Sequence, residues 1–107
     1  MEKILYSFCS QTSCADGWDL ATSLIDVKGT LYGITVRGGE HCARENGCGT
    51  VFALNADSGT ETVLYSFGWP RGHYPDGGLV DMDGALYGTT GGGGHSNYGT
   101  VFVLNSP

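Results

Sequence analysis

Two seven-residue stretches carry apolar side chains at consecutive positions, where a half-exposed strand would alternate apolar with polar. Gly49-Thr50-Val51-Phe52-Ala53-Leu54-Asn55 returns as Gly99-Thr100-Val101-Phe102-Val103-Leu104-Asn105, differing only at Ala53 and Val103. In an extended strand Val51 and Ala53 point to one face and Phe52 and Leu54 to the other. The sheet holding this strand must therefore be covered on both sides. Neighbouring stretches recur as well: Ile4–Phe8 (ILYSF) as Val63–Phe67 (VLYSF), Ser23–Val27 as Gly78–Met82, and Leu31–Thr35 as Leu86–Thr90. Their β-branched and aromatic content, bounded by turn residues, predicts strands.

Within one repeat these strands take positions A (Ser23–Val27, Gly78–Met82), B (Leu31–Thr35, Leu86–Thr90), C (Gly49–Asn55, Gly99–Asn105) and D (Val63–Phe67). Ile4–Phe8 is a further D strand at the start of the chain. Lys28-Gly29 and Asp83-Gly84 join A to B, and Asp-Gly between apolar runs signals a two-residue hairpin. A glycine-rich loop leads from B to C, and Asn55–Gly59 turns C back into D. The fold class is all-β: two four-stranded antiparallel meanders with no helical periodicity. Repeat one covers about 21–67 and repeat two about 77–105, the whole chain forming one two-repeat unit.

The spacings of the two copies differ in an informative way. Position D recurs after 59 residues (4 to 63), B after 55 (31 to 86) and C after 50 (49 to 99). The first copy therefore has four extra residues between D and A and five between B and C. All four cysteines sit in or beside those insertions, Cys9 and Cys14 in one, Cys42 and Cys48 in the other. Local disulfides, 9 to 14 and 42 to 48, are the favoured reading and imply an oxidising compartment. Cross-pairing, free thiols and a zinc site with His41 remain open, although the spacings match no familiar zinc finger.

Composition narrows the function classes. The 107 residues make one domain, with 19 glycines and only 15% charged residues. A net charge of -6 with five Lys and Arg leaves no basic patch for a phosphate backbone, which excludes nucleic acid as a partner. No apolar run approaches the roughly 18 residues of a membrane span, and no export signal is expected within the chain.

The strand motifs together resemble a family, the bacterial GloVer (Gloeo-Verruco) tandem repeat. Val63-Leu64-Tyr65-Ser66-Phe67, Pro75, Gly78-Leu79, Gly84–Thr90, the run Gly91–Gly94 and Gly99–Phe102 carry the resemblance in the second copy. Asp16-Gly17, Gly29–Gly33 and Cys48–Phe52 carry it in the first. The resemblance implies β-propeller-like repeats in a secreted or surface-attached bacterial protein. It supplies no catalytic residues, and this chain holds two repeats where family members look like long arrays.

Two blades packed face to face would leave two apolar faces bare, which a soluble monomer rarely tolerates. A β-sandwich would need each sheet polar on one side, and the C strands deny that. The expectation is a propeller ring closed by self-association, six blades from a trimer being favoured over eight from a tetramer. Because the chain begins with D and ends after C, Ile4–Phe8 is expected to pair with Val101–Leu104 of a neighbouring chain.

In a meander the D-to-A and B-to-C connections share one end of the sheet. That end collects Trp18, Arg37, His41, Trp69, Arg71, His73, Tyr74, His95 and Tyr98, residue types that anchor ligands. They define a candidate surface for carbohydrate or another small ligand. Arg44 joins them, as do the carboxylates Asp16, Asp19, Glu40 and Asp76, which raise calcium as a cofactor or an acid-base pair, though no EF-hand spacing exists. Gly91–Gly94 lacks the Lys-Ser/Thr of a phosphate loop and reads as a flexible strand connection, and no Gly-x-Ser-x-Gly elbow is present. The favoured function is a non-catalytic extracellular binding module. The alternatives are a purely structural surface-display repeat and an enzyme with a site on the loop-rich face.

Overall fold

A computed structural model describes residues 2–20, 24–40, 47–68, 72–75, 77–94 and 98–105. The described strands are β1 (Trp18–Leu20), β2 (Ile25–Val27), β3 (Thr30–Arg37), β4 (Thr50–Asn55), β5 (Glu61–Ser66), β6 (Gly72–Pro75), β7 (Val80–Met82), β8 (Ala85–Gly93) and β9 (Thr100–Asn105). All pair antiparallel in two sheets. In the first, β2, β3, β4 and β5 run in the order A-B-C-D, and in the second, β7, β8 and β9 run A-B-C. The second sheet has no strand at the D position among the described residues.

The hairpin turns form as predicted. Lys28, Gly29, Asp83 and Gly84 all have positive φ, between 53° and 89°. Two consecutive left-handed residues match the type I′ turn, whose twist suits the flanking strands. The Asn55 carboxamide oxygen accepts from the amides of Asp57 (2.8 Å) and Ser58 (2.9 Å), which drives the turn from β4 into β5.

Three expectations need correction. Positions A are shorter than read, β2 and β7 beginning at Ile25 and Val80. The D-to-A connections are not plain loops: β1 and β6 return to the sheet and pair with the far halves of β3 and β8, with Trp18 opposite Arg37 and His73 opposite Gly92. Those far halves lengthen strand B, so Gly91, Gly92 and Gly93 lie in β8 rather than in a flexible connection. Ile4–Phe8, expected to pair with a neighbouring chain, forms no strand within the single chain, where β9, the open C strand, belongs to the other sheet.

The two sheets pack face to face. Tyr32, Ile34, Val51 and Ala53 of the first meet Leu79, Leu86, Phe102 and Leu104 of the second, with Phe67 between them. At the centre of each sheet a phenylalanine crosses a glycine: Gly33 pairs with Phe52 and Gly88 with Phe102. A methyl group on Gly33 would lie 2.6 Å from the Phe52 ring, and one on Gly88 2.5 Å from Phe102. The glycine is therefore a packing requirement in both copies. Gly33→Ala is expected to lower unfolding free energy by about 1–3 kcal/mol through overpacking, measured by urea denaturation, whereas unchanged stability would mean the ring can move aside.

Candidate functional site

The end of the sheets where B passes to C is fixed by a threonine clasp made twice. The Thr35 hydroxyl donates to the Arg37 carbonyl (3.0 Å), accepts from the Thr50 amide (3.1 Å) and lies 2.7 Å from the Thr50 hydroxyl. Thr90 repeats this with Gly92, Thr100 and the Thr100 hydroxyl at 2.9, 3.0 and 2.7 Å. Both Thr35 and Thr50 are fully buried, and the clasp satisfies their hydroxyls where the strands part. Sequence reasoning missed it, although threonine recurs at both positions in both copies.

Beyond the clasp, the structure brings Trp18 and Arg37 together. The Arg37 guanidinium lies 5.7 Å from the centre of the Trp18 ring, and its Nε is 3.3 Å from Asp19 Oδ2. Both carriers stand on paired strands, β1 and β3, so this part of the surface is held by the sheet. Asp19 adopts a left-handed φ of 63°. Tyr98 precedes β9 in the corresponding connection of the second sheet and is 91% exposed. His41, Trp69, Arg71 and His95, with Arg44 and Asp76, lie outside the described residues, as do the side chains of His73 and Tyr74. Among the described residues no three metal-type side chains converge.

The first insertion has a defined build. Cys9 and Cys14 are disulfide-bonded across a Cα separation of 4.2 Å, closing a loop that contains a 3-10 turn, Thr12–Cys14. Cys48 is buried and disulfide-bonded; Cys42, its expected partner, lies outside the described residues. The loop is anchored on Asp16, which is 0% exposed. Its carboxylate accepts from the Tyr6 hydroxyl (2.6 Å) and from the amides of Ser10 (3.0 Å) and Gln11 (3.1 Å). Asp16 therefore anchors the loop, and the carboxylate read as a calcium or acid-base candidate accepts from three protein donors.

Burial alone would raise the Asp16 carboxyl, but these donors outweigh it and hold it below the ordinary carboxylate value. Tyr6 is pushed up to about 12, first by burial, then by its bond to Asp16 and the nearby charges of Glu61 and Asp16. Glu61, on β5 beneath this loop, has both carboxyl oxygens shut off from water without a hydrogen-bond partner. Burial, and then the charge of Asp16, raise it to about 7. A cleft of about 490 Å³ runs beside it, bordered by Gln11, Ala15, Glu40 and β5.

The fold and this surface define a class: an all-β tandem-repeat protein with antiparallel meander sheets stacked face to face. The chain belongs to the Gloeobacter/Verrucomicrobia repeat family, whose pattern matches residues 2–107. No curated protein and no solved structure matches it.

The two carboxyls set opposite pH limits. Glu61 has a raised value in the folded state, so stability is greatest while it is protonated and falls as pH rises from about 4.5 to about 7. Asp16 has a lowered value, so its contribution is present above its ordinary value of 3.8 and is lost on further acidification. The thermal midpoint should therefore peak between these ranges. Glu61→Gln should flatten the descent from pH 4.5 to 7; an unchanged descent would assign it to another group.

Proposed function

We propose that the chain is a non-catalytic extracellular repeat module whose sheets are blades of a β-propeller, closed into a ring by self-association. The observation that carries this reading is a pair of unmatched elements. β9 pairs only with β8 among the described residues, so its outer edge lacks the partner that β5 gives to β4. Ile4–Phe8 repeats the sequence of β5 and pairs with no strand. An exposed edge and a strand-forming segment without an edge are complementary, and open edges invite pairing with another chain. In the ring, Ile4–Phe8 of one chain pairs with Val101–Leu104 of the next, with three chains giving six blades or four giving eight.

The loop-rich end is the proposed ligand face, with Trp18, Arg37 and Tyr98 as its described members and a glycan as the ligand class. The engagement of Arg37 by both Trp18 and Asp19 favours a second reading, in which this end is purely structural and the module serves display or assembly.

Light scattering at micromolar concentration should give the mass of three or four chains, and deletion of residues 2–8 should lower it. A monomer with an intact N-terminus would contradict ring closure. On a glycan array, binding that Trp18→Ala weakens at least tenfold would support the ligand face; no binding by the assembled protein would leave the structural reading.

A further inference from the structure

The two ends of the sheet stack are surfaces of different kinds. The outward face of the second sheet carries Val80, Met82, Tyr87, Val101 and Val103, all exposed, with Val101 at 77% and Val103 at 52%. In the first sheet the same repeat positions are Ile25, Val27, Tyr32, Val51 and Ala53. All five belong to the core between the sheets, Val51 being 0% exposed. What is bare in the second copy is thus what the first copy buries.

The opposite end is a groove. Ile4, Leu5, Tyr6 and Phe8 lie along one side, and Leu20, Leu24, Leu31, Phe52 and Leu54 line the rest of an apolar hollow of about 350 Å³. Leu24, Leu31, Phe52 and Leu54 are the repeat counterparts of Leu79, Leu86, Phe102 and Leu104, which form the second sheet's half of the internal interface.

The N-terminal segment completes the equivalence. Phe67, just after β5, makes edge contacts with Phe102 and with Tyr65, each at 5.0 Å between ring centres. Phe8 meets Phe52 at 4.8 Å with the rings tilted by 59° and makes an edge contact with Tyr6 at 5.0 Å. Ile4–Phe8 therefore lies against the first sheet as a D strand of a preceding blade would, and the hollow beside it occupies the place of that blade's remaining strands.

We propose that the groove of one chain receives the bare face of the second sheet of another copy, in the register of the internal interface. The occupant is a second copy because the internal interface already shows these two surfaces packed together, apolar on both sides. This rests on the self-association proposed above and deepens it by naming the faces. The contact is heterologous, head to tail, so each chain uses one groove and one face, and repetition of the same rotation closes a ring. Val101 and Val103, exposed in the single chain, become buried like Val51 and Ala53. Leu24 becomes buried like Leu79.

A pair of one-sided blocks tests this. Val103→Asp places a charge on the face and leaves the groove intact; Leu24→Asp does the reverse. Both sites are exposed in the single chain, so folding should survive, checked by circular dichroism, with Val101→Asp and Leu20→Asp as second choices. Each variant alone should be monomeric by light scattering. An equimolar mixture should double in mass to a 1:1 dimer and stop there, because only one competent groove and one competent face remain. If wild type assembles while the mixture stays monomeric, or while either variant assembles alone, the faces are wrong and self-association stands. If wild type is monomeric, both readings fall.

Discussion

In the first sheet, Val51 and Phe52 are neighbours on β4 that point to opposite faces, and both are shut off from water. A strand of this composition has no side to give to solvent, so burial on two sides governs how everything around it is arranged. On one side the second sheet provides Leu79, Leu86 and Phe102. On the other, Phe8 and the segment before it close over Phe52. Each fully buried aliphatic or aromatic side chain gains roughly 1.5–3 kcal/mol from leaving water, so a chain with few charges draws much of its stability from this stacking. The same strand composition in β9 meets cover on one side only. The fold thus contains both a satisfied and an unsatisfied version of one surface, and the proposed assembly is the second becoming the first.

Polar groups in this stack are placed where strands part. The threonine clasps hold the B-to-C exits in both sheets, and Asp16 gathers Tyr6 with the amides of Ser10 and Gln11 under the disulfide loop. The Asp16 bonds tie Tyr6 to the disulfide loop, beside the contact of Phe8 with Phe52. Glu61 is the exception. Its carboxyl is buried with no donor, so ionising it costs stability.

Much of the fold was legible because the repeat supplies its own control. A stretch that occurs twice separates required residues from incidental ones, so the strands, the Lys28-Gly29 and Asp83-Gly84 turns and the Cys9–Cys14 insertion could all be read by comparing the copies. Strands β1 and β6 were not legible, since Trp-Asp-Leu and Gly-His-Tyr-Pro share no pattern and pair only because β3 and β8 extend past the clasp. The role of Asp16 was hidden too: its donors come from Tyr6 and from backbone amides, and backbone donors leave no mark in a sequence. Of the candidate ligand residues, the structure joins Trp18 to Arg37 because β1 and β3 are paired, a contact that follows from a strand the sequence did not reveal. Gly33 and Gly88 could have been found, as each faces the recurring phenylalanine across the hairpin register.

The most direct measurement on the central claim is amide hydrogen exchange along β9, compared with β4, as protein concentration is varied. If a neighbouring N-terminus completes the second sheet, the outward-facing amides between Val101 and Asn105 will be protected to nearly the level of those between Val51 and Asn55. That protection will fall on dilution, while β4 stays protected. Fast exchange along β9 at every concentration would show that its edge remains open and would contradict completion by a second chain.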